Sequence, residues 1–204
     1  MQRSGFSALL RQSFGKDIHM ENYRTITKMS ELQAYLAMQP VVAFDFETAP
    51  DEQYRNEAKA ALDPRKAHIT GVSFSVSEGS AVYVPVAHKN GENIRNADAL
   101  WMWLKEKIYE NKSVIKVAHN LSFEAMFLYA VGIVVKAPCY DTIAASQLTL
   151  KSKWEFRNLH DSGLKLLATA LFCADMPSFE TVTAGRHFDE MNSQEHEAIM
   201  PHRL

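Results

Sequence analysis

The sequence predicts an α/β domain with a mixed sheet of about five strands and helices packed on its faces. Three observations carry this. The chain has 204 residues, a length that suits one sizeable domain rather than two. Its apolar content is 47%, ordinary for a protein with a real core. Its β-rich runs come first, two of them flanking a Gly turn, and then alternate with helix-patterned segments. That order favours a mixed sheet over a purely parallel one.

Taken in order, "NYRTITKMSELQAYLAMQP" reads as a short strand and then a helix from Ser30, with Glu31 in its first turn and Pro40 as its stop. "VVAFDF" follows as a buried strand. "DEQYRNEAKAALDPRK" is a polar, helix-prone insertion ended by Pro64. "HITGVSFSV" and "SAVYVPVAH" flank "SEG" as a hairpin. "NADALWMWLKEKIYEN" starts a helix at Asn96, and "WMWL" within it reads as core packing with at least one tryptophan partly exposed. "SVIKVAHN" is a further strand. "SFEAMFLYAVG" is a helix that begins around Ser122 and is closed by Gly132. "CYDTIAASQLTL" starts another helix near Asp141, "GLKLLATALF" is a compact one, and "NSQEHEAIM" reads as the first turns of a last one. "KSKWEFRNLHDSG" lacks periodicity and reads as a long basic, aromatic loop. Its Lys151, Lys153, Trp154 and Arg157 suit a single nucleic-acid strand or a solvated loop equally.

Composition narrows the class. The formal charge is −2, so no global basic field advertises nucleic acid, although an acidic metal centre can mask a local basic groove. No stretch of about 18 apolar residues offers a membrane span. Residues 1–22 read as an extension, because Met20 opens a better-patterned segment, and residues 23–204 as the domain. Cys139 and Cys173 are far apart with no C-x-x-C, which suggests neither zinc nor a disulfide framework. A reduced, cytoplasmic protein is the expectation.

Two stretches carry chemistry. "VVAFDFETAP" sets Asp45 and Glu47 two positions apart at the end of an apolar run. Side chains at i and i+2 of a strand share a face. Two like charges are costly there unless a cation offsets them, and hard carboxylate oxygens suit Mg²⁺ or Mn²⁺. The plain alternative is an edge strand whose charges face water. In "VAHNLSFEAMF", His119 and Asn120 end a strand and Glu124 lies in the first turn of the following helix. Ser122 as a cap and Glu124 against the helix dipole are the ordinary reading of that stretch alone.

Together, in their order and spacing, these stretches resemble the proofreading 3′–5′ exonuclease domain of family A DNA polymerases, of the DEDD superfamily. The resemblance runs from about Tyr23 to Glu197. It takes in "FDFET" as first motif, "VAHNLSFEAMFL" as second, "YDTIAASQLTL" after it, and "SFETVTAGRHFDEM" among the connecting segments. It implies a ribonuclease-H-like fold and metal-dependent removal of nucleotides from the 3′ end of single-stranded DNA. It assigns Asp45, Glu47 and Glu124 to two Mg²⁺ or Mn²⁺ ions that activate water and stabilise the leaving oxygen. Phe46, Thr48, Asn120 and Phe123 would shape the pocket of the terminal nucleotide. Two departures stand out. Glu124 occupies a position that is usually Asp, and the fourth acidic ligand, expected in a Tyr-x-x-x-Asp helix after "FDEM", is not recognisable in "EHEAIMPHRL". Glu195, His196, Glu197 and His202 read there as exposed residues. The sequence thus looks cut before the third motif, with a polymerase or a second chain supplying the remainder as candidate partner. A catalytically silent strand- or partner-binding module and an RNA 3′ exonuclease are the competing readings. Asp141 is expected to serve as a helix cap rather than as a replacement ligand.

Overall fold

A computed structural model describes residues 22–150, 162–172 and 179–192. Within them the strands are β1 (Asn22–Thr25), β2 (Val41–Pro50), β3 (Ala67–Ser77), β4 (Ser80–Pro85), β5 (Ile115–Ala118) and β6 (Cys139–Asp141). The helices are α1 (Met29–Leu36), α2 (Ala97–Leu104), α3 (Leu121–Ala130), α4 (Thr142–Thr149), α5 (Leu164–Phe172) and α6 (Phe179–Thr183).

The strands form one mixed sheet in the order β1-β4-β3-β2-β5-β6. The expected hairpin is present: β3 and β4 pair antiparallel, with Phe74 opposite Val82. β2 lies inside the sheet, antiparallel to β3 and parallel to β5. Its carboxylates therefore do not sit on an edge strand. The expected count of about five strands becomes six, because Cys139–Asp141 pairs parallel with Lys116–Ala118. Three exposed or half-exposed residues show no alternation, so the cap signal of Asp141 hid the strand before it. The insertion after β2 forms two single 3₁₀ turns, Glu52–Tyr54 and Ala60–Leu62, not a helix. Its helix-prone composition yields to local bonds such as Asp51 accepting from Tyr54 N–H at 2.8 Å.

Other boundaries follow from their chemistry. Asn96 caps α2, its side chain accepting from Ala99 N–H at 3.0 Å. Beyond Leu104 the helix widens into a π turn, Lys105–Tyr109, where Glu110 N–H donates five residues back to Lys105 O at 2.9 Å. That extra residue turns Ile108 and Tyr109, neighbours in sequence, both inward. Gly132 takes φ 78 just past α3, the left-handed position a helix end favours. Trp101 and Trp103 are both half-buried while Met102 is exposed, as "WMWL" implies.

The main core lies between one face of the sheet and α1, α2, the π turn and α3. Phe44, Phe46, Leu32, Leu100, Leu104, Tyr109 and Phe127 meet there. Burying one such aromatic side chain contributes about 1.5–3 kcal/mol. On the opposite face, a Cβ at Gly71 would overlap the buried Tyr83 ring, so only glycine lets β3 accept that ring. The short turn Phe188–Glu190 and Met191 pack as a smaller cluster with Val182. Of the segments expected as the long loop, at 151–163, and as the last helix, at 192–200, residues 151–161 and 193–200 lie outside the described residues.

Candidate metal-binding active site

β2 builds the first half of the site. Its pairing with β5 ends at Ala43↔Val117, whereas its pairing with β3 continues to Pro50. Asp45 and Glu47 thus lie on a stretch of β2 with no strand on the β5 side. They face Ser73 and Gly71 across the antiparallel ladder, and the register shifts between Glu47 and Thr48. A bulge at that point re-aims the strand, as bulges beside functional sites do. Glu47 is buried and Asp45 half-buried. Thr70 Oγ1 donates to Glu47 O at 2.9 Å and pins the strand beside the bulge.

The second half comes from α3. Asn120 adopts a left-handed conformation (φ 74, ψ 58), which Asn tolerates better than most residues. This sharp step from β5 into α3 brings the first turn of the helix alongside the extension of β2. Glu124, 1% exposed, there accepts a hydrogen bond from Phe46 N–H through Oε2 at 3.2 Å. A helical carboxylate takes the place a neighbouring strand would otherwise fill. Burial lifts the Glu124 carboxyl well above its ordinary value, and the charge of Asp45 adds to this. The Phe46 N–H bond opposes it, and Glu47 raises it further. The three carboxylates are therefore within electrostatic reach of one another.

Asp141 organises the entry to both helices. Its carboxylate accepts from Asn120 N–H at 3.2 Å, Leu121 N–H at 2.9 Å and Ile143 N–H at 2.9 Å. The capping role expected from sequence is present, and it extends to α3 as well as α4. Ser122, expected as a cap, is exposed inside α3, which begins a residue earlier at Leu121.

The remaining sequence-predicted residues divide. Thr48 is half-buried and donates through Oγ1 to Ala61 O at 2.7 Å. Asn120 is exposed at the mouth of the helix, and Phe123 is half-buried with its ring 4.9 Å from that of Phe127. Phe46 points its ring into the core against Phe44, Trp101 and Tyr109, so its backbone, not its side chain, belongs to the site. Alternation along β2 carried that information, since Phe46 stands between two residues assigned to the other face. Sequence reading missed Tyr109, whose hydroxyl is buried with no hydrogen-bond partner among the described residues. Only its place at a helix end, three residues before a turn, hinted at an inward role.

The donor set fits a divalent cation in kind: three anionic hard-oxygen side chains whose mutual repulsion a cation would relieve. Among the described residues no group of three or more His, Cys, Asp or Glu side chains is already drawn together as a cage. The fit is one of chemistry and placement rather than of a finished coordination shell.

A protein-family model described as 3′–5′ exonuclease matches residues 20–176. DNA polymerase I of Pseudomonas aeruginosa is 30% identical over 110 residues; the match takes 52% of this chain and 11% of that relative's length. RNase D of Escherichia coli, an exoribonuclease involved in structured RNA processing, superposes with a TM-score of 0.60 at 16% identity. That match covers 90% of this chain and 42% of the other. Brucella melitensis NrnC with bound Mg²⁺ superposes at 0.54 with 18% identity, over 88% of this chain and 73% of the other. At such identities the solved structures speak for the fold, a ribonuclease-H-like sheet flanked by helices. The family match, which spans β2, the hairpin and α3 alike, shows that this chain belongs to the 3′–5′ exonuclease domain family.

Proposed function

We propose that this chain is a divalent-metal-dependent phosphodiesterase that removes nucleotides from the 3′ end of single-stranded DNA. The bond of Glu124 on α3 to the β2 backbone at Phe46, between Asp45 and Glu47, carries this reading. Asp45, Glu47 and Glu124 would hold Mg²⁺ or Mn²⁺; one of the similar structures is NrnC with bound Mg²⁺. Such ions, when bound, supply Lewis-acid polarisation of the scissile phosphate and a lowered pKa for the attacking water. The chain's own residues do the positioning. Phe46 N–H fixes Glu124, and Thr48, next in the chain to Glu47 at the bulge, donates to Ala61 O. Asn120 and Phe123, at the mouth of α3, flank the place where a terminal nucleotide would lie. Hydrolysis joins a water oxygen to phosphorus, breaks the P–O3′ bond, and releases a nucleoside monophosphate and a shortened strand.

RNA is the second reading, favoured by the similarity of the fold to RNase D, an exoribonuclease. The two substrates differ at the 2′-hydroxyl, which proteins read by direct contact.

The test is release of nucleotide from 3′-labelled single-stranded DNA and RNA, with Mn²⁺, Mg²⁺ or EDTA. Wild-type protein is expected to cleave only with metal, and Asp45→Ala to lose on the order of 100-fold or more. Faster trimming of RNA than of DNA in competition would transfer the substrate to RNA. Strand binding without cleavage under every metal condition would make the chain a silent binding module.

A further inference from the structure

Tyr109 keeps a hydroxyl where phenylalanine would fill the same space. The side chain is fully buried and its oxygen has no hydrogen-bond partner among the described residues. Leaving such a group unpaired costs about 1–3 kcal/mol. Its ring packs edge-on to Phe44 at 5.0 Å and to Phe46 at 6.4 Å. Phe46 is the residue whose N–H holds Glu124 Oε2, so Tyr109 stands on the core side of the strand position that carries the second-motif carboxylate. Glu124 is itself buried, and the Phe46 contact is its one hydrogen bond among the described residues. A carboxylate has about four acceptor sites, so most of its capacity is open. Burial, and after it the charge of Glu124, raises the phenol's pKa. The hydroxyl therefore stays a neutral donor within electrostatic reach of that carboxylate. The π turn delivers it: the turn's extra residue rotates Tyr109 inward beside Ile108, and single π turns within helices concentrate at functional sites.

We propose that Tyr109 is a positioning residue for Glu124, its spare donor being taken up by the Glu124 carboxylate when the site binds a divalent cation. This rests on the metal-site reading above. The device suits a buried glutamate, whose long side chain has several torsions to fix.

The experiment is direct Mn²⁺ binding, by calorimetry and by the loss of the free-Mn²⁺ electron paramagnetic resonance signal. The proteins compared are wild type, Tyr109→Phe, Glu124→Gln and the double variant, with thermal unfolding in EDTA beside them. Tyr109→Phe is expected to melt in EDTA at or above the wild-type temperature, since it removes an unpaired hydroxyl. It is expected to bind Mn²⁺ about 10-fold more weakly, the usual scale for partners of metal ligands. In the Glu124→Gln background the same change is expected to have no further effect. Unchanged Mn²⁺ affinity in Tyr109→Phe, or an equal loss with and without Glu124, would overturn the proposal and leave the metal site standing. Absence of Mn²⁺ binding by the wild-type chain would overturn both.

Discussion

His88 ties three parts of the carboxylate-bearing face together. Its Nδ1 lies 2.8 Å from Met191 O and its Nε2 2.6 Å from the Tyr83 hydroxyl. A carbonyl can only accept, so Nδ1 carries the proton and Nε2 of the neutral ring accepts from Tyr83. Burial pushes the pKa of His88 below its ordinary 6.5, against the opposing pull of the Met191 carbonyl and the Asp189 charge. The sign follows from linkage. Above pH 6.5 neither the folded nor the unfolded chain protonates this ring, and its contribution to stability is fully present. As the pH falls from there through the lowered folded value, the unfolded chain takes up the proton first and stability is lost. The slope is at most about 1.4 kcal/mol per pH unit for one proton. Urea midpoints measured from pH 8 to pH 5 should fall less steeply in His88→Gln than in wild type. Parallel curves would show that His88 does not titrate differently on folding. None of this was legible in the sequence, where His88 is a polar residue after a strand and Met191 lies 103 positions away. The placement of Asp45 and Glu47 at a strand end and of Glu124 at a helix start was legible because strand and helix periodicity act locally; the purpose proposed for them came from the family resemblance.

At the scale of elements, α3 and α4 share one cap. Asp141 accepts from backbone N–H groups at the start of both, while Thr142 Oγ1 donates to Ala118 O at 3.3 Å and lies 2.7 Å from His119 Nδ1. Removing a single N-cap costs about 0.5–2 kcal/mol. Because Asp141→Ala leaves orphan donors on two helices, about 2 kcal/mol is expected from chemical denaturation. Asp141→Asn, which retains an acceptor, should recover part of this. A cost below about 0.5 kcal/mol would mean that water satisfies these groups equally well. The same substitution should weaken Mn²⁺ binding, since Asn120 and Leu121 set where Glu124 begins its approach. Sequence patterns named Asp141 as a cap but missed β6, which ends on it. A three-residue strand has too little length to show a period of two, and its pairing depends on Lys116–Ala118 more than 20 residues earlier. The π turn escaped for a related reason: "LKEKIY" satisfies an α-helical pattern, and only packing against Phe44 and Phe46 selects the wider turn.

For the molecule as a whole, the question is what holds the chain around Phe188–Asn192 against the sheet. Arg55, just past β2, donates to both carboxylate oxygens of Asp189, at 3.2 Å through Nη1 and also through Nη2, and reaches Glu190 at 3.3 Å. Asp189 is 1% exposed, so its charge is out of water and depends on that bidentate partner. Lys89 stands 3.6 Å from the same carboxylate, and its backbone N–H donates to Asp189 O at 2.7 Å. Asn90 Nδ2 donates to Glu190 O at 2.8 Å. These bonds join the insertion after β2, the loop after β4 and the last described residues into one latch. His88 and Tyr83 continue it over Gly71, which pairs with Glu47. Breaking one side of a buried ion pair costs about 3–5 kcal/mol, mostly through the charge left behind, whereas replacing both partners with apolar residues is often close to neutral. Arg55→Met is therefore expected to destabilise by about 3 kcal/mol, the nearby Lys89 ammonium keeping the loss at the low end. Lys89→Met, at an exposed position, should cost under about 1 kcal/mol. The double variant Arg55→Met with Asp189→Leu should regain most of the loss. Amide hydrogen exchange at 188–192 separates a local latch from a global support. If Arg55→Met speeds exchange there first, and only later in β2 and β3, the segment opens as its own unit. If all of them accelerate together, Arg55 holds the whole sheet, and the carboxylate face has no independently opening side.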